Sequence, residues 1–299
     1  MARERDKSAR WPTHLRMLAA CLVLLGLAAG EAPPAGKGAG CAGRRSGAGN
    51  REEQAEVVTR DLAREETEPR GELSRPDHGH PAFQERAAER REMVRDQMEL
   101  REIKDPNVLR AMRLVPRHAF VPAAQQTYAY EDRPLPIGHG QTISQPYVVA
   151  FMTETLALGP NSVVLEIGTG SGYQAAICAE IARAVYTVEI VEPLAAAADE
   201  LLKKLGYRNV RVRTGDGYHG WPEHGPFDAI IGTAAARDVP PPLVEQLKPG
   251  GRMILPVGTS FGLQYLILLT KDEEGHLQRH NVMPVLFVPM TGRIEQSVE

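Results

Sequence analysis

The sequence predicts an α/β fold in which a mostly parallel, doubly wound sheet finishes in antiparallel C-terminal edge strands. Three observations predict it. From residue 106 onward, short β-branched runs alternate with helix-forming stretches, the order that builds a parallel sheet covered on both faces. A glycine-rich turn from Gly168 to Gly172 closes the first core run and opens a helix. The last two β-rich runs have no helix between them, so they read as an antiparallel pair at the sheet edge.

The elements follow in order. Residues 107–114 read as a short helix ended by Pro116, and Pro146 sits in the first turn of a helix reaching Leu156, where a missing N–H costs nothing. Residues 162–167 are the first core strand and 172–182 the helix after it. A strand over 184–189, a helix over 193–205, and strands over 210–213 and 227–232 come next. A helix over 242–247 is expected to stop at Gly250-Gly251. Strands over 252–257, 264–270 and 285–288 complete the sheet, the last two separated by a charged turn at 271–275.

Upstream, the chain changes character. Arg3, Arg5, Lys7, Arg10 and Arg16 precede an apolar stretch from Met17 to Ala29, a signal-peptide pattern too short to span a bilayer comfortably. Leu18-Ala-Ala-Cys21 resembles a lipoprotein box, but it opens the apolar run instead of closing it, which counts against lipidation. Residues 31–80 are rich in Gly, Pro, Ala and charge without apolar periodicity and read as a flexible linker. Residues 82–103 combine strong helix formers with sparse apolar positions (Met93, Met98, Leu100). They predict an amphipathic helix whose charge run is a solvated face. The expected organisation is therefore a signal-like segment over 1–30, a linker over 31–80, and a single domain over 81–299 with an N-terminal helical cap.

A net charge of −3, with no Lys/Arg stripe interleaved with aromatics, argues against a nucleic-acid partner. The three cysteines, Cys21, Cys41 and Cys178, have neither zinc-site nor disulfide-framework spacing, and no metal is expected. Cys178 lies in an apolar helical stretch and reads as a small core residue.

The glycine-rich turn carries the chemistry. Glycines allow a sharp turn and a close ligand approach, and in an open α/β sheet this turn sits where ligands bind. A dinucleotide fingerprint needs Gly-x-Gly-x-x-Gly, but here the third glycine comes one residue early and Tyr173 stands in its place. A Walker loop would need Gly-Lys-Ser/Thr, which is absent. Glu189 ends the second core strand about 20 residues past the loop, where an acid accepts hydrogen bonds from both ribose hydroxyls. The plainer reading is a solvated Glu at a helix start. Gly215-Asp216-Gly217 follows the third strand. Asp216 can accept from an adenine amino group, although alone it would read as an Asp-Gly turn. The pattern Glu166-x-Gly168-x-Gly170-x-Gly172 resembles motif I of Rossmann-like methyltransferases, and that resemblance implies S-adenosylmethionine as cofactor.

Five further stretches resemble the protein-L-isoaspartate O-methyltransferase family. They are Pro136 to Glu154, containing Thr142-Ile143-Ser144-Gln145-Pro146; Val164 to Gln174; Thr214 to Gly217; Pro226 to Ile231; and Leu247 to Gly258. Phe287 to Thr291 is similar to a late family segment, so the resemblance spans roughly 90–295. The Thr-Ile-Ser-Gln-Pro segment is its specific part, because motif I is common to many methyltransferases. The resemblance implies a class I methyltransferase fold and methyl transfer from S-adenosylmethionine to the α-carboxylate of L-isoaspartyl residues. The partners would be damaged proteins and peptides, repaired through a succinimide.

It further implies that Ser144 is the active-site residue, that Thr142 and Ile143 lie near the cofactor with Gly168, Gly170, Gly172 and Gly217, and that Thr291 closes the C-terminal side. Gln296 is a weaker match. His139 has no acid partner visible in the sequence and does not read as a base. Ser144 could also serve as the N-cap of the following helix. A methyltransferase with another acceptor would keep the loop, Glu189 and Asp216 but have no reason for the Ser144 segment. A nicotinamide oxidoreductase is disfavoured by Tyr173, and a non-catalytic cofactor-binding module by the presence of both loop and Ser144. The family resemblance implies a cytoplasmic monomer, whereas residues 17–29 point to export.

Overall fold

The computed structural model describes residues 76–259 and 262–292, all within one unit spanning Glu68–Glu299. The signal-like segment, residues 31–75 of the expected linker, Cys21, Cys41 and Gln296 lie outside the described residues.

The N-terminal cap is not the single helix expected over 82–103. A 3-10 turn (Pro81–Phe83) precedes helix α1 (Ala87–Gln97), and a second turn (Glu99–Arg101) follows it. Arg86 breaks the helix at its start, with a left-handed φ of 50°. The buried Arg90 explains why this break is stable. Its guanidinium donates to the carbonyls of Phe83 and Glu85, which a continuous helix would have paired internally, and to that of Arg113. One member of the charge run is thus a buried clamp, while Arg91, Glu92, Arg95 and Asp96 are exposed as expected. Helix α2 (Pro106–Leu114) starts with Pro106 in its first turn and Asp105 as N-cap. The Asp105 carboxylate accepts from Asn107 N at 2.7 Å and Val108 N at 3.2 Å.

A two-stranded antiparallel hairpin, β1 (Leu135–Gly138) and β2 (Gln141–Ile143), was not foreseen. It runs directly into α3 (Pro146–Leu156), whose N-cap is Gln145 with no side-chain bond; Ser144 is therefore not its cap. His139 sits exposed at the hairpin tip with φ 52°, between two glycines that also have positive φ.

The main sheet has seven strands: β3 (Val163–Ile167), β4 (Ala184–Glu189), β5 (Val210–Thr214), β6 (Phe227–Gly232), β7 (Leu247–Gly258), β8 (Gln264–Lys271) and β9 (Leu277–Val285). Their spatial order is β5-β4-β3-β6-β7-β8-β9. The strands from β5 to β7 are parallel, and β8 and β9 are antiparallel, as expected for the C-terminal edge. Helices α4 (Tyr173–Ala179), α5 (Glu192–Lys204) and α6 (Pro241–Glu245) connect β3 to β4, β4 to β5 and β6 to β7, while β5 reaches β6 through two 3-10 turns (Gly217–His219 and Pro222–His224). The chain winds outward from β3 to β5 and then returns to β6 on the other side of β3. Side chains of β3 alternate between two apolar clusters: Val164 packs with residues of α3 and α4, and Val163, Leu165 and Ile167 pack on the opposite face. All five residues of β3 are buried, including Glu166.

Two expected boundaries need correction. Helix α6 ends at Glu245, and Gly250-Gly251 does not stop it; both glycines lie inside the long β7, where the register with β6 shifts. The last strand is not 285–288 but the polar β9, which is set by pairing with β8 and not by apolar content.

Gly172 joins the glycine turn to α4. It carries φ 84°, its N–H donates to the Thr169 carbonyl at 2.8 Å, and an added Cβ would lie 3.1 Å from Leu202 Cδ1 on α5. Gly172→Ala is expected to lower stability by roughly 1–2 kcal/mol through left-handed strain. Urea unfolding measures this, and an unchanged midpoint would contradict the tight fit of the turn.

Candidate active site

Positions at the carboxyl ends of β3, β4, β5 and β6 surround one cleft. The cleft opens where the strand order reverses beside β3, the place where open α/β sheets bind ligands. Its floor is the turn after β3. Gly168 N donates to Val188 O at 2.8 Å, and Gly170 N donates to Glu189 Oε2 at 2.7 Å. Gly168 and Gly170 have φ values of 96° and 52°. A Cβ on Gly168 would lie 2.5 Å from Thr233 Oγ1, so the close approach of β6's end requires glycine there.

Glu189 is buried at the end of β4 and lines the cleft. Its Oε1 accepts from Val191 N at 3.0 Å, so each carboxylate oxygen holds one backbone amide and keeps a further lone pair. Opposite the loop, Thr142 and Ile143 of β2 and Ser144 just after it line the cleft, and Val288 to Thr291 close a third side. That last segment is fixed to the sheet through Ala235: Ala235 N donates to Val288 O and Met290 N to Ala235 O, each at 2.8 Å.

Of the residues expected at a cofactor site, the cleft wall contains Thr142, Ile143, Ser144, Gly168, Gly170, Glu189, Gly217 and Thr291. Gly172 and Asp216 are not on it. Gly172 caps α4 against α5. Asp216 stands behind Gly217, where its Oδ1 accepts from Tyr218 N at 2.9 Å and Gly292 packs against the carboxylate. Gly217 is held by shape: a Cβ there would meet Ile167 Cγ2 at 2.4 Å. Thr233, Ile190 and Met290 also line the cleft and were missed. Position offered a signal for Thr233 and Ile190, since each directly follows a core strand; nothing local marked Met290. Cys178 is fully buried, and burial pushes its thiol up to about 12, which agrees with a core role and not a nucleophilic one.

These residues fit a nucleoside bearing an amino-acid arm. The glycine floor leaves room for close backbone approach, the buried Glu189 carboxylate suits a ribose diol, and the apolar Ile190 is placed for a flat ring. The comparisons with known proteins agree. The family model for protein-L-isoaspartate(D-aspartate) O-methyltransferase (PCMT) matches residues 88–295. Protein-L-isoaspartate O-methyltransferase 2 of Syntrophobacter fumaroxidans is 65% identical over 188 residues, covering 63% of this chain and 76% of that one. The protein-L-isoaspartate O-methyltransferase of Opitutus terrae is 57% identical over 213 residues, covering 71% and 91%. Among solved structures, a protein-L-isoaspartate O-methyltransferase aligns with a TM-score of 0.64 at 30% identity, covering 69% of this chain and 67% of that one. A Plasmodium falciparum structure titled as the same enzyme, in complex with S-adenosyl-L-homocysteine, aligns with a TM-score of 0.57 at 26% identity, covering 68% and 98%.

Fold and cleft together define an S-adenosylmethionine-dependent methyltransferase of the Rossmann-like class. The chain belongs to the protein-L-isoaspartate(D-aspartate) O-methyltransferase family.

Glu189→Ala is expected to weaken S-adenosylmethionine binding by about 10–100-fold, the worth of hydrogen bonds to a charged acceptor. Calorimetric titration measures it, and an unchanged affinity would remove Glu189 from the cofactor site.

Proposed function

We propose that the chain transfers the methyl group of S-adenosylmethionine to the α-carboxylate of L-isoaspartyl residues in damaged proteins and peptides, with Ser144 orienting that carboxylate. The observation that carries this reading is that Ser144 lines the same cleft as the glycine turn and Glu189. Its hydroxyl is not spent on capping α3.

Bound S-adenosylmethionine supplies an electrophilic methyl group on a sulfonium. The residues around it have a light task. The attacking carboxylate is already ionised at neutral pH, so no general base is needed. What the protein must provide is alignment and exclusion of water. Ser144 donates a hydrogen bond that orients the carboxylate without neutralising it. Ile143 and Val149 give that side of the cleft an apolar lining. Glu189 takes the ribose, and Gly217 with the Asp216 turn takes the adenine end. Thr142, Ile143 and Thr291 enclose the cofactor. The neighbouring backbone amide nitrogen then attacks the ester carbonyl and expels methanol, so the product closes to a succinimide without enzyme help. Part of that succinimide opens to normal aspartate, and the net outcome is repair.

Among the described residues, no helix is long and apolar enough to cross a membrane. We place the enzyme in the cytoplasm, where its cofactor is made, acting as a monomer; export through residues 17–29 is the alternative. Mass spectrometry of the mature N-terminus separates the two, because recovery of an intact residue 1 is expected for the cytoplasmic form.

Paired peptides with isoaspartate or aspartate at one position, incubated with labelled S-adenosylmethionine, should give base-labile methyl ester only on the isoaspartyl peptide. Equal labelling of both, or none, would overturn the assignment. Ser144→Ala should lower kcat by about 10–100-fold, the scale of a small misplacement of reactants, with cofactor affinity little changed. Normal turnover at saturation would contradict the role given to Ser144.

A further inference from the structure

Glu166 is the one acidic side chain in β3, and it is fully buried at 0% exposure. Its Oε2 lies 2.5 Å from Thr187 Oγ1 on β4, and Thr187 Oγ1 lies 2.6 Å from Thr169 Oγ1. Thr169 belongs to the glycine turn and lines the cleft. A chain of two hydroxyls therefore joins a buried carboxyl group to the cofactor site. Glu166 Oε1 is buried with no hydrogen-bond partner.

Nothing around Glu166 neutralises a negative charge. No Lys, Arg or His forms an ion pair with it among the described residues. The ionisable groups facing it are Glu189 from β4, itself acidic, and the Cys178 thiol from α4. The residue opposite it on β6 is Ile231. An isolated buried carboxylate costs several kcal/mol, by order of magnitude, and such a group takes up a proton instead. Burial, and secondarily the charge of Glu189, pushes the Glu166 carboxyl up to about 8 against the pull of the Thr187 hydroxyl.

Each hydroxyl has one proton to give, so the state of Glu166 sets the direction of the chain. A proton on Oε1 would find no acceptor, so the neutral acid carries it on Oε2 and donates to Thr187. Thr187 then donates to Thr169, and the Thr169 proton is left to point into the cleft. When Glu166 is ionised the order reverses: Thr169 donates to Thr187, Thr187 donates to Glu166, and Thr169 offers only lone pairs to the cleft. The first arrangement disfavours a cation in the cleft, and the second favours one.

We infer that Glu166 is a proton-linked charge sensor for the cofactor cleft: it is neutral without ligand, gives its proton to solvent when the cationic sulfonium cofactor binds, and regains one when the neutral thioether product is left. Glu166 acts through Thr187 and Thr169 and is a positioning residue. The consequence is discrimination between spent and fresh cofactor. Ionised Glu166 attracts the sulfonium form, and its reprotonation removes that attraction once the methyl has left. The inference rests on the cofactor assignment above.

The test is calorimetric titration of the full chain with S-adenosylmethionine and, separately, S-adenosylhomocysteine near pH 6.5, in buffers of different ionisation enthalpy. S-adenosylmethionine should release up to about one proton more per site than S-adenosylhomocysteine. Glu166→Gln, measured in parallel, subtracts the ligands' own ionisations and should abolish the difference. Binding with equal proton counts, or a difference that survives in Glu166→Gln, overturns the proton linkage alone. Binding of neither ligand overturns it together with the cofactor assignment.

Unfolding supplies a second readout. A carboxyl raised from 4.5 to about 8 in the folded state contributes stability below pH 4.5 that is lost progressively as pH rises to about 8. Glu166→Gln has nothing to lose there, so its stability relative to the unaltered chain should rise between about pH 5 and 8. A difference that does not change with pH would overturn the neutral starting state.

Discussion

Gly170 donates its N–H to Glu189, and Gly168 donates its N–H to Val188. These two bonds bind the turn after β3 to the end of β4, and the rest of the site is arranged around them. They need a backbone that stays at positive φ for three glycines in five residues, which side-chain-bearing residues adopt only under strain. Once the turn is fixed, α4 starts in a set direction, Thr169 faces the cleft and the Glu189 carboxylate is held at its rim. The end of β6 then packs onto the turn through Thr233, whose hydroxyl donates to the Gly168 carbonyl at 2.5 Å. Interlocking of this kind lets a ligand meet a site that is already formed, and less ordering has to accompany binding.

Much of this was legible in the sequence because its causes are local. Glycine spacing fixed the nature of the turn, since a dinucleotide loop needs a different interval. Glu189 could be found because a parallel sheet puts the end of the second strand beside the end of the first. Strands β3, β4 and β6 were readable as mostly apolar runs, buried on both faces. The Ser144 segment was legible only through its resemblance to a family; no periodicity marks it.

What was missed depends on tertiary pairing. Strand β9 carries Gln278, Arg279, His280 and Asn281 at the sheet edge, so it shows little β-like patterning, and β8 alone determines that it forms. The apolar run 285–288 looked more like a strand, but Val288 goes to the cleft wall instead. The β1–β2 hairpin was hidden by its Pro136, Gly138 and Gly140 and by an irregular register. The break at Arg86 was equally invisible, because it depends on where Arg90 finds carbonyl partners. Asp216 and Gly172 hold their motif positions beside the cleft wall: Asp216 accepts from Tyr218 N, and Gly172 fits closely against Leu202.

The segment Val288 to Thr291 comes after every strand of the sheet, yet it forms one wall of the cleft and is pinned to Ala235 just past β6. Synthesis proceeds from the N-terminus, so a nascent chain can assemble β3 to β8 while that wall is still missing. The ribosome must deliver residue 291 before the cleft is enclosed. A growing polypeptide therefore passes through a stage in which its core is built but its cofactor chamber stands open, and loss of these few residues by trimming or stalling would leave a folded sheet with an unfinished chamber.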